Sequence, residues 1–146
     1  MRVLSTLAFA LGFAFASSAS SAPLEWDQEQ VTRLATELSE SLGDVYGRAR
    51  GVDPPLAGAS RKSFFRALDD LRVLKNSVRH LVRRLQAGAG YDETLPIYRR
   101  VGLMRRSAAE EGRRSAGALP ADVLELVDQA GKQLDQLSAY YESPEE

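Results

Sequence analysis

Residues 60–87, SRKSFFRALDDLRVLKNSVRHLVRRLQA, carry the most regular pattern in the chain. One apolar position recurs every seven residues, at Phe64, Leu71, Val78 and Leu85, and the alternate position is filled by Leu74 and Leu81. This spacing is typical of a helix that packs its apolar stripe against other helices. The segment predicts a long helix (helix 2) with Ser60 as its N-cap, ended by the AGAG stretch at 87–90.

Three further helices are predicted from similar spacing. Helix 1 covers residues 27–50, with Asp27 as N-cap and Gln30 completing a capping box. Helix 3 begins between Asp92 and Pro96, and helix 4 begins near Pro120. The apolar stripes are Val31, Leu34, Leu38, Leu42 and Val45 in helix 1; Ile97, Val101, Met104 and Ala108 in helix 3; and Val123, Val127, Ala130, Leu134, Leu137 and Tyr141 in helix 4.

These four helices predict an all-α fold, because no segment alternates between apolar and polar residues with the period of a strand. The short connections after helices 2 and 3 favour antiparallel neighbours. We therefore expect one domain over residues 23–146, an up-down-up-down antiparallel four-helix bundle. The alternative is two helical hairpins completed by dimerisation, so the chain is expected to be a monomer or a homodimer.

The first 22 residues, MRVLSTLAFALGFAFASSASSA, have the features of a secretory signal peptide. Arg2 precedes a short apolar run, and small residues suited to cleavage follow. The run is shorter than the roughly 20 residues of a membrane-spanning helix. We expect a bacterial protein of the periplasm or the medium, with no membrane span after processing.

Charge is segregated along the rest of the chain. Residues 51–116 carry 14 basic and seven acidic residues, whereas residues 117–146 carry one basic and seven acidic residues. Arg99, Arg106 and Arg113, here called the second arginine row, are seven residues apart and lie opposite the apolar stripe of helix 3. On helix 2 the first arginine row consists of Arg72, Arg79 and Arg83.

Two interpretations of this segregation stay open. In the first, the basic middle of the chain complements its acidic outer helices, and local pairs form at Arg66/Asp70, Arg106/Glu110 and Glu110/Arg114. In the second, the six arginines of the two rows bind an anion, because guanidinium groups pair bidentately with phosphate and carboxylate. The export signal and a formal net charge of −1 argue against nucleic acid as the partner.

The residues of known catalytic and metal sites are largely missing. The chain has no Cys and one His, which excludes thiolate zinc sites, cysteine nucleophiles and covalently attached haem. His80 falls on the polar side of helix 2 and Met104 on the apolar stripe of helix 3, so the two are poorly matched as axial haem ligands. We expect no catalytic residue, no metal and no cofactor.

Aromatic residues mark two places of interest. Trp26 precedes helix 1 and Tyr140-Tyr141 end helix 4, so in the expected bundle they meet and close one end. Phe65 lies one residue off the stripe of helix 2. It belongs either to the edge of the core or to an exposed apolar contact site shared with the Pro54-Pro55 loop.

These observations favour an exported, non-enzymatic helical protein that binds an envelope protein or an anionic envelope component through its arginines. One alternative is a carrier that holds a small ligand or metal in the bundle interior, near the small residues at the end of helix 3. Another is a structural subunit of a larger assembly.

Overall fold

The structure, a computed structural model, describes residues 24–114 and 119–142. Four helices form these parts: α1 (Gln28–Ala49), α2 (Gly58–Gln86), α3 (Tyr91–Arg114) and α4 (Ala121–Tyr141). The described residues include no strand, which confirms the all-α prediction. The predicted signal peptide lies outside the described residues, as do Ser115 and Ala116 at the small-residue end of helix 3.

The start of α1 follows the sequence closely. Asp27 is the N-cap, and its carboxylate accepts a hydrogen bond from the Gln30 backbone N–H at 3.0 Å. The Gln30 side chain accepts from Arg33. The N-cap prediction is therefore confirmed, but the capping box is not: the Gln30 side chain bonds Arg33 instead of the Asp27 backbone.

The starts of α2 and α3 differ from the predictions. Helix α2 begins at Gly58, so the predicted N-cap Ser60 lies inside the helix, and Ala57 at the cap has no side-chain hydrogen bond. Gly58 has a φ of +79°, a value that glycine adopts more readily than other residues. This conformation lets the helix begin at Gly58, two residues before Ser60. Helix α3 begins at Tyr91, one residue before the predicted range, because the Gly90 carbonyl accepts the Thr94 N–H at 3.1 Å.

All four helices contribute to a single apolar core. Its most enclosed large side chains come from α1, α2 and α4: Leu38, Leu81 and Leu137. On α3 the buried residues are Thr94, Tyr98 and Val101, with Ile97 and Met104 only partly buried. The prediction that Val127 of the α4 stripe is a core residue is wrong: its side chain is 44% exposed, because it lines an open apolar cleft between α1, α2 and α4.

The helices are not packed equally around this core. Contact is most extensive between α2 and α3, followed by α1 with its neighbours α2 and α4, whereas α3 and α4 meet at few points. Gln28 at the start of α1 donates to the carbonyls of Leu85 and Ala89, at 3.1 and 2.9 Å, where α2 ends. At the other end of α1, Arg48 lies 2.9 Å from Asp122 at the start of α4. Within the described ranges, no helix combines the length and apolar character needed to cross a membrane.

Candidate functional site

All six arginines of the two rows are exposed, and each row lies along one side of its helix. The rows do not share a face of the molecule. Asp70 on α2 accepts a hydrogen bond from Ser107 on α3, at 2.7 Å, and so marks the side of α2 that meets α3. At about 100° per residue, Arg79 is half a turn around α2 from Asp70. The first row therefore faces away from α3, towards the α1 side of the bundle.

In the first row, Arg72 forms an ion pair with Asp69 at 2.6 Å, and hydrogen bonding to that carboxylate raises the pKa of Arg72. Arg79 and Arg83 have no ion pair in the described parts of the chain. This row thus offers two adjacent guanidinium groups, one helical turn apart.

The second row lies on the outward side of α3, between the residues that contact α2 and those that contact α4. Arg113 is paired with Glu110, which holds the pKa of that carboxyl below its usual range. Arg99 and Arg106 have no acidic partner among residues 24–114 and 119–142. Leu103 lies between them on the same side of the helix and is 55% exposed. The row thus presents two unpaired guanidinium groups on either side of an apolar side chain.

Direct ion pairing between the basic middle of the chain and its acidic outer helices is limited. Among the described residues, Arg105 and Asp135, 2.7 Å apart, form the one ion pair that joins the two regions. Of the three expected local pairs, Glu110–Arg114 forms at 3.2 Å. Arg66 approaches Glu111 instead of Asp70, at 3.9 Å, and Arg106 is left without an acid.

The end of the bundle where α1 begins and α4 ends is closed by aromatic rings. Trp26 packs edge-on against Tyr141, with ring centroids 5.2 Å apart, which confirms that these two residues meet. Two tyrosines of α3 that were not predicted from the sequence complete the cluster. Both stack on Tyr141, with ring centroids 4.3 Å away for Tyr98 and 5.8 Å away for Tyr91. We call this the closed end.

Every hydroxyl of the three clustered tyrosines is hydrogen-bonded. Tyr141 and Thr94 oxygens are 2.7 Å apart, Tyr98 donates to the Glu142 carboxylate at 2.7 Å, and Tyr91 donates to the Tyr141 carbonyl at 3.1 Å. Burial raises the pKa of Tyr141 to about 12 and, together with the bond to Glu142, raises that of Tyr98 further. Neutral, fully bonded hydroxyls of this kind hold a structure together and leave no group free for chemistry.

Two depressions open on the surface away from the closed end. The first, of about 480 Å³ and open to solvent, is polar and is lined by Phe65, Arg66, Asp69, Asp70, Ser107 and Glu111. The second is an apolar cleft of about 50 Å³ between α1, α2 and α4, lined by residues that include Ala49, Phe64, Leu68, Leu119 and Val127. We call the end of the bundle that carries this cleft the open end.

The described side chains contain no group of three or more acidic or His residues placed to hold a metal ion. His80 is exposed on α2, and Met104 is partly buried against the core, so the two do not face one another. The acid Asp70 next to Ser107 has no histidine beside it to complete a nucleophilic relay.

Comparisons with family models, with curated proteins and with solved structures give no match for this chain. Its function must therefore be inferred from its own side chains.

Proposed function

We propose that this protein is an exported, non-enzymatic helical bundle that binds an acidic partner of the bacterial cell envelope, either a protein or an anionic envelope component. The observation that carries the proposal is the second arginine row, where Arg99 and Arg106 are exposed, unpaired in the described chain, and separated by the exposed Leu103. Elsewhere on α3, Arg105, Arg113 and Arg114 are each engaged by an acid, whereas Arg100 is exposed next to the row and has no acidic partner in the described chain.

Unpaired guanidinium groups suit recognition of carboxylate or phosphate, because their planar donors bind two oxygens at once. An apolar side chain between them adds contact area that an inorganic anion does not use. The combination fits a partner surface that carries acids around an apolar patch. The first row supplies a separate basic surface at Arg79 and Arg83 on the α1 side of the molecule.

We also infer that the helices run up-down-up-down, which directs both rows outward. Three contacts between helix ends support this: Gln28 with the end of α2, Arg48 with the start of α4, and Tyr91 at the start of α3 with Tyr141 at the end of α4. The domain would then span residues 23–146 after removal of residues 1–22, and its location would be the periplasm or the medium.

Photocrosslinking in the living host tests this function. A photoreactive residue in place of Leu103 is expected to capture a defined partner, and the charge reversals Arg99→Glu and Arg106→Glu should together abolish the crosslink. Arg33→Glu is the matched control, because Arg33 is exposed on α1, which does not contact α3, and forms no ion pair in the described chain. Circular dichroism should show an unchanged helical fold in every variant. A crosslink that survives the double reversal would refute the assignment.

The alternative function, a carrier of a small ligand or metal, depends on a different kind of site. It requires an enclosed interior site, whereas the polar depression between α2 and α3 is open to solvent. A metal or small molecule retained through purification would favour the carrier over the binding protein.

A further inference from the structure

Exposed apolar side chains are concentrated at the open end. Four of the seven large hydrophobic residues that are most exposed lie there: Leu56, Phe65, Leu124 and Val127. Leu56, in the α1–α2 loop, is 98% exposed and so makes almost no contact with the rest of the chain. Isolated exposed leucines need no explanation, but a cluster at one end of a bundle marks an interaction surface.

The loop around Leu56 is held in shape from α2. Arg61 donates a hydrogen bond to the Pro55 carbonyl at 3.1 Å, and its guanidinium carbon lies 5.2 Å from the centre of the Phe65 ring. The two prolines Pro54-Pro55 restrict the backbone before Leu56. Arg61 therefore links the loop at Pro55 to Phe65, which is the arrangement that the second interpretation of Phe65 requires.

The chain segment that carries this loop is rich in cations. Residues 48–66 contain five cations (Arg48, Arg50, Arg61, Lys62 and Arg66) and a single acid, Asp53. Arg48 and Arg66 are drawn towards acids of other helices, whereas Lys62 has no contact with another charge in the described chain. By contrast, residues 24–30 at the closed end contain three acids and no cation.

We propose that the α1–α2 loop docks end-on on an anionic phospholipid bilayer, with Leu56 entering the boundary between headgroups and acyl chains. Apolar side chains flanked by cations bind at this boundary, because the apolar groups leave water while the cations meet lipid phosphates. The start of α4 is acidic, with Asp122, Glu125 and Asp128, so Leu56 and Phe65 on the loop side face the lipid, whereas Leu124 and Val127 on α4 do not.

This surface is separate from Arg99, Leu103 and Arg106. Docking at the open end would leave the second arginine row exposed along the side of the bundle, where a partner could reach it. The lipid proposal therefore goes beyond the partner-binding function, and each of the two can be refuted without the other.

Vesicle flotation tests the docking directly, with the protein purified from its exporting host. The wild type should float with vesicles of phosphatidylglycerol and phosphatidylcholine, and should not float with phosphatidylcholine alone. Leu56→Ser and Lys62→Glu should each weaken binding roughly tenfold, through lost apolar transfer and lost charge attraction respectively. The matched controls, Leu24→Ser at the closed end and Arg100→Glu on α3, should stay within about twofold of the wild type, since neither side chain meets the lipid.

The orientation is tested by fluorescence, because Trp26 at the closed end is the only tryptophan of the chain. Brominated lipid should quench the indole introduced by Leu56→Trp and leave the emission of Trp26 in the wild type unchanged. Three results would overturn the proposal: no flotation of the wild type with anionic vesicles, controls weakened as much as Leu56→Ser, or equal quenching of Trp26. Double reversal of Arg99 and Arg106 should abolish the partner crosslink while it leaves flotation in place, so the two proposals fail separately.

Discussion

Replacing Tyr141 by alanine removes the residue on which the closed end is built. The side chain is 4% exposed, and its ring contacts Trp26, Tyr91 and Tyr98. Truncating a buried aromatic to alanine costs about 3–5 kcal/mol in the free energy of unfolding. We expect Tyr141→Ala to fall in this range, which is a large part of the roughly 5–15 kcal/mol that stabilises an ordinary domain.

Tyr141→Phe removes the hydroxyl and keeps the ring, so it measures the contribution of the hydrogen bond alone. The Thr94 hydroxyl keeps its 2.7 Å bond to the Gly90 carbonyl after this change, so no buried polar group is left unpaired. Loss of one such hydrogen bond costs about 0.5–1.5 kcal/mol. The wild type should therefore be the most stable, Tyr141→Phe less stable and Tyr141→Ala the least stable. The difference in unfolding free energy should be larger between the two variants than between the wild type and Tyr141→Phe.

Urea unfolding followed by far-ultraviolet circular dichroism is the suitable assay. Trp26 fluorescence alone would mislead, because its ring lies against Tyr141 and responds to the substitution directly. The dependence of the free energy on urea should be unchanged if both variants unfold from the same compact state. A cost below about 1 kcal/mol for Tyr141→Ala would refute the conclusion that aromatic packing closes this end, since that is no more than a single hydrogen bond contributes.

Three other predictions concern stability. Asp27→Ala should cost about 1 kcal/mol because it removes an N-cap bond, whereas Ser60→Ala should cost less than about 0.5 kcal/mol; the same urea assay measures both. Leu137→Ala, at a fully buried site, should lower the free energy of unfolding by about 2–5 kcal/mol, and Val127→Ala by less than about 1 kcal/mol. Equal losses would contradict the conclusion that the core is incomplete at the open end. The folded state raises the pKa of Tyr141 from 10.0 to about 12, so the neutral hydroxyl stabilises the fold fully below pH 10 and this contribution is lost as the pH rises towards 12. Unfolding free energies measured across that range should fall by about 2–3 kcal/mol more in the wild type than in Tyr141→Phe.

The helices could be predicted from the sequence because their apolar spacing is regular and, for α1, because the Asp27 cap is local. The bounds of α1 and α4 agree with the prediction to within one or two residues. The start of α2 was misplaced because a glycine with positive φ, Gly58, redirects the chain before the hydroxyl of Ser60 can cap it. Val127 was misplaced for another reason: spacing identifies the face of a helix but not the level at which a neighbour stops covering it.

The candidate site was predictable in part. The alignment of each arginine row follows from the seven-residue spacing, but the choice of ion-pair partner does not, because long side chains can reach several acids. Glu110 pairs with Arg113 and Arg114 and leaves Arg106 free of an acidic partner in the described chain. Tyr98 was missed although its signal was present, since Thr94, Tyr98 and Val101 have the spacing of a buried stripe.

Native mass spectrometry of the protein purified from its own host tests the central claim, which is that an exported bundle acts through its surface and not through its interior. The expected result is a chain that begins between Ser17 and Pro23 and carries no small molecule or metal. A full-length chain of 16.0 kDa that retains Met1, or a processed chain that retains a bound ligand, would contradict it.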